Sequence, residues 1–105
     1  MMRNKNIFVV SYDITDNKKR NKIAKLLEQN GYERIQFSVF TGLTAPNRNK
    51  ILWTRLLKIA DIENNPENKI ICCAISKTAF KSMKIIGNFT ADIEYLLGEK
   101  NTEII

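Results

Sequence analysis

Hydrophobic and polar positions fall into blocks along the chain, and each block carries the period of one structural element. The apolar run Ile7-Phe8-Val9-Val10 leads into Ser11-Tyr12-Asp13-Ile14-Thr15-Asp16, so Ile7 to Ile14 reads as a buried strand. Asp16 is placed to cap a helix from about Asn17 to Asn30, with Ile23, Leu26 and Leu27 at helical spacing on its core face. Lys18, Lys19, Lys22 and Lys25 fall largely on other faces. Gly31 stands where a left-handed C-terminal stop is expected.

From Arg34 the period changes to two, with Ile35, Phe37 and Val39 on one side and Arg34, Gln36, Ser38 and Phe40 on the other. The second side mixes a cation, two hydrogen-bonding groups and an aromatic, which suits a partner sheet or a nucleic acid. Thr41-Gly42-Leu43-Thr44 continues extended, and Tyr32 to Thr44 fits either one bent strand or two. Pro46 opens a second helix, roughly Asn47 to Ala60, in which Ile51, Leu52, Arg55, Leu56 and Ile59 recur at helical spacing and Trp53 lies at the edge. Asp61 to Asn68, with Pro66, reads as a polar loop. Lys69 to Ser76 is a strand containing Ile70, Ile71, Ala74 and Ile75, and Met83 to Ile86 is a weaker strand candidate stopped by Gly87.

Two helices that cover one face of an antiparallel sheet, in this order, predict an α+β fold on the ferredoxin-like βαββαβ plan. Residues 1–87 hold that domain. Residues 88–105 form a tail with one more strand-like patch, Ile93 to Gly98, which a domain this small has little room to pair internally. An exposed strand invites a second copy, so a homodimer with an exchanged or paired C-terminal strand is expected.

Composition narrows the chemistry. The 105 residues suit one small core, and the N-terminal apolar run is too short to span a bilayer and lacks a secretory cleavage pattern, so a cytoplasmic, non-membrane protein is expected. Cys72 and Cys73 are adjacent and point to opposite faces of a strand, which makes them free, small buried residues rather than a disulfide. There is no histidine, which excludes histidine acid–base pairs, Ser-His-Asp triads and imidazole metal sites. Hydrolysis would have to use carboxylates, Lys, Tyr or a metal-bound water. Seventeen Lys plus Arg against eleven Asp plus Glu give a net charge of +6, which favours an anionic partner, nucleic acid first, although such a balance also serves solubility.

Asp13 ends the first strand between Tyr12 and the basic run Lys18-Lys19-Arg20-Asn21-Lys22, a setting for metal and phosphate. An aspartate that caps the following turn fits the same position. Arg20 and Lys22 read either as phosphate contacts or as a solvated helix face. Arg34, a cation within a strand, suits a pair across a dimer or a nucleic-acid backbone. Phe40 is either a core or interface aromatic or a base-stacking platform.

Tyr12-Asp13-Ile14-Thr15-Asp16, the downstream Arg20-Asn21-Lys22, and Gly31-Tyr32-Glu33-Arg34-Ile35-Gln36-Phe37-Ser38-Val39-Phe40 resemble the signatures of the Cas-two family, the small CRISPR-associated proteins of spacer acquisition. The resemblance implies a ferredoxin-like homodimer that joins the acquisition integrase and helps hold the DNA to be inserted, the protospacer. It also implies magnesium- or manganese-dependent nuclease activity on RNA or DNA in some members, with Asp13 as metal ligand. Tyr12, Arg34 and Phe40 would serve that activity with Asp13, and Lys18, Lys19, Arg20, Lys22 and Arg34 would meet nucleic acid, with Ser38 as a supporting polar group. Lys22 departs from the arginine often found at its position, keeping the charge and losing the bidentate fork. The alternative is a toxin-like ribonuclease of the same fold.

Overall fold

The structure, a computed structural model, describes residues 6–87. Strand β1 (Asn6–Asp13) lies between β3 (Val39–Gly42) and β4 (Lys69–Ser76), and β2 (Glu33–Gln36) pairs with the outer edge of β3. The order β2-β3-β1-β4 is antiparallel throughout, as the ferredoxin-like plan requires.

Helices α1 (Asn17–Gln29) and α2 (Lys50–Ala60) close one face of the sheet. Alternation along β1 turns Val10 and Tyr12 toward them, and the core joins these to Phe40 of β3 and to Ile23, Leu27, Leu52 and Leu56 of the helices. Each such aliphatic side chain removed from water contributes roughly 1.5–3 kcal/mol. The Asp16 carboxylate caps α1 by accepting from the Lys19 N–H at 2.9 Å. Gly31, at φ +88°, supplies the left-handed residue that lets the chain turn into β2.

One reading left open is decided and several expectations are corrected. Tyr32 to Thr44 is a hairpin of two short strands, because Phe37 and Ser38 form a turn in which Ser38 takes φ +66° and Gln36 comes opposite Val39. The two-residue alternation is therefore broken at Phe37, which does not share a side with Ile35 and Val39. The second helix starts later than Asn47: Pro46–Arg48 is a 3-10 turn, after which the Asn49 side chain caps α2 by accepting from the Leu52 N–H at 3.1 Å. Ile51 consequently points to solvent.

Met83 to Ile86 is not a strand; the chain instead forms a short helix, α3 (Lys77–Lys81), capped by Ser76. Phe80 of α3 packs on Ile7, Ile75 and Met83 and so covers one end of the sheet's second face. Cys72 and Cys73 are free as expected but exposed rather than buried, because β4 is the edge strand and no described residue closes over them. The strand-like patch Ile93 to Gly98 lies outside the described residues.

Candidate functional site at the end of strand β1

The end of β1 is fixed from three directions. The Tyr12 N–H donates to the Ser38 carbonyl at 3.1 Å, which ties the hairpin turn to the strand end. The Asn68 side chain, buried between the α2–β4 loop and the β1–α1 loop, accepts from the Thr15 N–H at 3.3 Å and donates to the Ala60 carbonyl at 2.9 Å. Arg20 reaches back from the first turn of α1 and donates through Nη1 to the Ile14 carbonyl at 2.8 Å, and through Nη2 to the Asn17 side chain. Most of its fork therefore holds the β1–α1 loop, a use of arginine that the basic run alone did not reveal.

Behind this end lies an aromatic and guanidinium cluster. The Tyr12 ring stacks on Phe40 with centroids 6.2 Å apart and planes at 23°. The Arg34 guanidinium sits 5.1 Å from the Phe40 ring centroid and 5.9 Å from that of Phe37, and the Arg20 guanidinium is 5.6 Å from Phe37. Burial pushes the Tyr12 phenol above its usual pKa, while hydrogen bonds to the Arg34 and Ser38 side chains pull in the opposite direction without prevailing. Tyr12 is thus held protonated at neutral pH. The Nε of Arg20 and the Nε of Arg34 are buried without a hydrogen-bond partner, so neither guanidinium is saturated by the fold.

Asp13 stands apart from this cluster. Alternation sends it to the other face of the sheet from Tyr12, where it is exposed and stands opposite Lys69 of β4. Among the described residues no group of three Asp, Glu, Cys or His comes together as a closed metal site. A single exposed carboxylate still matches the sparse protein ligation of magnesium, which keeps several waters and takes phosphate oxygens.

The other predicted residues separate. Phe40 is fully buried, so its part is to hold Tyr12 and Arg34 and not to meet a base. Lys19 lies 3.9 Å from Asp61 at the end of α2, a pair worth about 0–1 kcal/mol at this exposure. Lys18 and Lys22 are exposed, and Lys22 faces the groove between α1 and α2 and not the strand end. Sequence reasoning missed Phe37: it is 66% exposed at the hairpin turn, between the two arginines. An aromatic directly before a polar residue in a short turn was the available signal, and the assumption of unbroken alternation hid it.

The sequence pattern that describes CRISPR associated protein Cas2 matches residues 6–83, which takes in the whole site. The chain belongs to this family. It is 51% identical over 51 residues to a CRISPR-associated endoribonuclease Cas2 of Pyrobaculum aerophilum, a stretch covering 49% of this chain and 56% of that protein. The chain spans about half the length of the first curated relatives it matches. Among solved structures, Streptococcus pyogenes Cas2 superposes with a TM-score of 0.63 at 24% identity, over 77% of this chain and 99% of that one, which shows the shared Cas2 fold. A chain of a partial Cas6-RT-Cas1–Cas2 complex superposes with a TM-score of 0.62 at 29% identity, over 77% of this chain and 90% of that one. The hairpin with its exposed Phe37 and the Asp13 strand end both lie inside the family match.

Proposed function

We propose that this chain is a CRISPR adaptation protein that works as a homodimer, binds nucleic acid beside an integrase subunit, and hydrolyses phosphodiester bonds in RNA or DNA with magnesium or manganese held by Asp13. The observation that carries the reading is the exposed Asp13 at the end of β1, on a sheet face that the described residues leave largely open, with cations on the adjoining elements. The name of the Pyrobaculum relative supports the nuclease part, and the Cas1–Cas2 assembly supports the integrase partner.

The open face supports the dimer. Val9, Ser11 and Asp13 of β1 share it with Cys73 and Ile71 of β4 and Thr41 and Val39 of β3; Phe80 covers its Ile7 end and Thr41 is buried, while the β4 side stays exposed. Ile71 is 56% exposed there. A second copy laid on this face would bury its apolar part and bring two Asp13 carboxylates toward one another.

At such a site Asp13 would contribute carboxylate oxygens to the cation. The cation, when bound, supplies an ionisable water and offsets negative charge gathering on the phosphate. Arg34 and Arg20, each with an unmet Nε donor, hold positive charge behind the strand end, and Phe37 offers an exposed ring to an unpaired base. Tyr12 keeps its proton and orients Arg34.

The test is cleavage of labelled single-stranded RNA and double-stranded DNA by wild type and Asp13→Asn, each with magnesium and with chelator, after both proteins are shown to be folded dimers. Cleavage that needs both metal and Asp13 is the expected result and identifies the substrate. Equal cleavage by the variant, or none by the wild type, removes Asp13 from catalysis and leaves the nucleic-acid scaffold role.

A further inference from the structure

The positive charge of this protein is not spread over its surface. Helices α1 and α2 together carry eight Lys or Arg, five and three respectively, against one acid, Glu28, a net +7 where the entire chain is +6. A balance that served only solubility would be interspersed with acids, as a mixed surface is. Here the helix layer alone accounts for it.

Between the two helices runs a groove of about 270 Å³ whose rim is Lys22 and Lys25 of α1 and Arg55 and Lys58 of α2, with no carboxylate among its lining residues. Its floor is apolar, formed by Leu26 and Ile59. Arg55 also borders the adjoining hollow beside Ile51, which is 71% exposed on α2. The groove is on the helix layer and is separate from the Asp13 strand end on the open sheet face.

A nucleic-acid backbone would neutralise the rim but offers nothing to exposed Ile51 and partly buried Ile59, which would stay wet or be covered by charged phosphate. An acidic amphipathic helix satisfies both parts: its apolar stripe fills the floor between two packed helices, and its carboxylates meet the four cations. We propose that the α1–α2 groove is a docking site for an acidic amphipathic helix of a partner protein, independent of whether the Asp13 site is catalytic.

The test uses the full chain and a fluorescent synthetic helix of about 18 residues, with leucines at i, i+3, i+4 and i+7 and glutamates on the outward positions. A shuffled peptide of the same composition and a DNA duplex of about 20 base pairs are the comparison probes. The ordered peptide should bind, with amide resonance shifts in Lys22–Gln29 and Ile51–Ile59. The shuffled peptide should bind at least about tenfold more weakly. Arg55→Glu with Lys58→Glu should weaken the ordered peptide about a hundredfold, and Ile51→Ser about fivefold, with unchanged thermal unfolding and little change in duplex binding. The proposal is overturned if neither peptide binds, if the shuffled peptide binds as well, or if duplex binding falls in step with peptide binding, which would make the groove a phosphate surface.

Discussion

The two faces of the sheet are made from the same strands and solved in opposite ways. On one, β1 turns Val10 and Tyr12 into an apolar core sealed by α1 and α2. On the other, Val9, Ser11 and Asp13 lie beside exposed Ile71 and Cys73, with α3 covering one end only. A strand that alternates between the two must carry both assignments at once, so Tyr12 and Asp13, adjacent in sequence, belong to different tasks. The closed face positions the site; the open face presents it.

Truncation should separate the faces most sharply. Leu27→Ala, at a position with no exposure, should cost about 3 kcal/mol in equilibrium unfolding, whereas Ile71→Ala on the open face should cost under about 0.5 kcal/mol in the isolated protomer. Equal losses would break the comparison. Next in size is Gly42→Ala, where the added methyl would stand 2.4 Å from Cδ2 of the Tyr32 ring, whose hydroxyl donates to the Thr44 carbonyl. We expect a loss of about 2 kcal/mol by denaturant titration, since the ring is core and has little room to move.

Alkaline titration gives a smaller effect confined to the closed side. Burial raises the pKa of Tyr12 and of Tyr32 above the usual tyrosine value. Their contribution to stability is therefore complete below about pH 10 and is lost as the pH rises through the folded-state values. Phenolate absorbance should show at least two of the three tyrosines ionising late, and normal titration of all three would contradict the packing described. The smallest effect on folding, and the largest on association, is expected from Ile71→Glu. At concentrations where both proteins are monomers its unfolding midpoint should match wild type, while sedimentation at higher concentration should show self-association, as proposed above, weakened; self-association equal to that of wild type would place the contact elsewhere.

The closed face was the more legible. Ile23, Leu26 and Leu27 announce the buried side of α1 by spacing and Asp16 its cap, because periodicity reports burial and burial is what this face is made of. The hairpin was less so: a non-glycine residue in the left-handed region at Ser38 leaves no strong mark in the sequence, and without it Phe37 falls on the wrong side. Arg20 looked like one cation in a run, and only its contacts with the Ile14 carbonyl and Asn17 show it fastening the loop. The same run divides in three dimensions, since residues two apart on a helix face away from each other, which sends Lys22 to the α1–α2 groove. Asp13 was singled out by its place at a strand end, yet its separation from Tyr12 and Phe40 required the sheet.

The claim that the open face presents the metal-binding carboxylate is tested most directly by titrating the full-length protein with manganese and following paramagnetic broadening of its amide resonances. Broadening is expected to centre on Asp13 and on Lys69 across the strand pair, and to be abolished by Asp13→Asn with the rest of the spectrum preserved. Broadening centred instead on Asp61 and Glu63 in the α2–β4 loop, or unchanged in the Asp13→Asn protein, would contradict it.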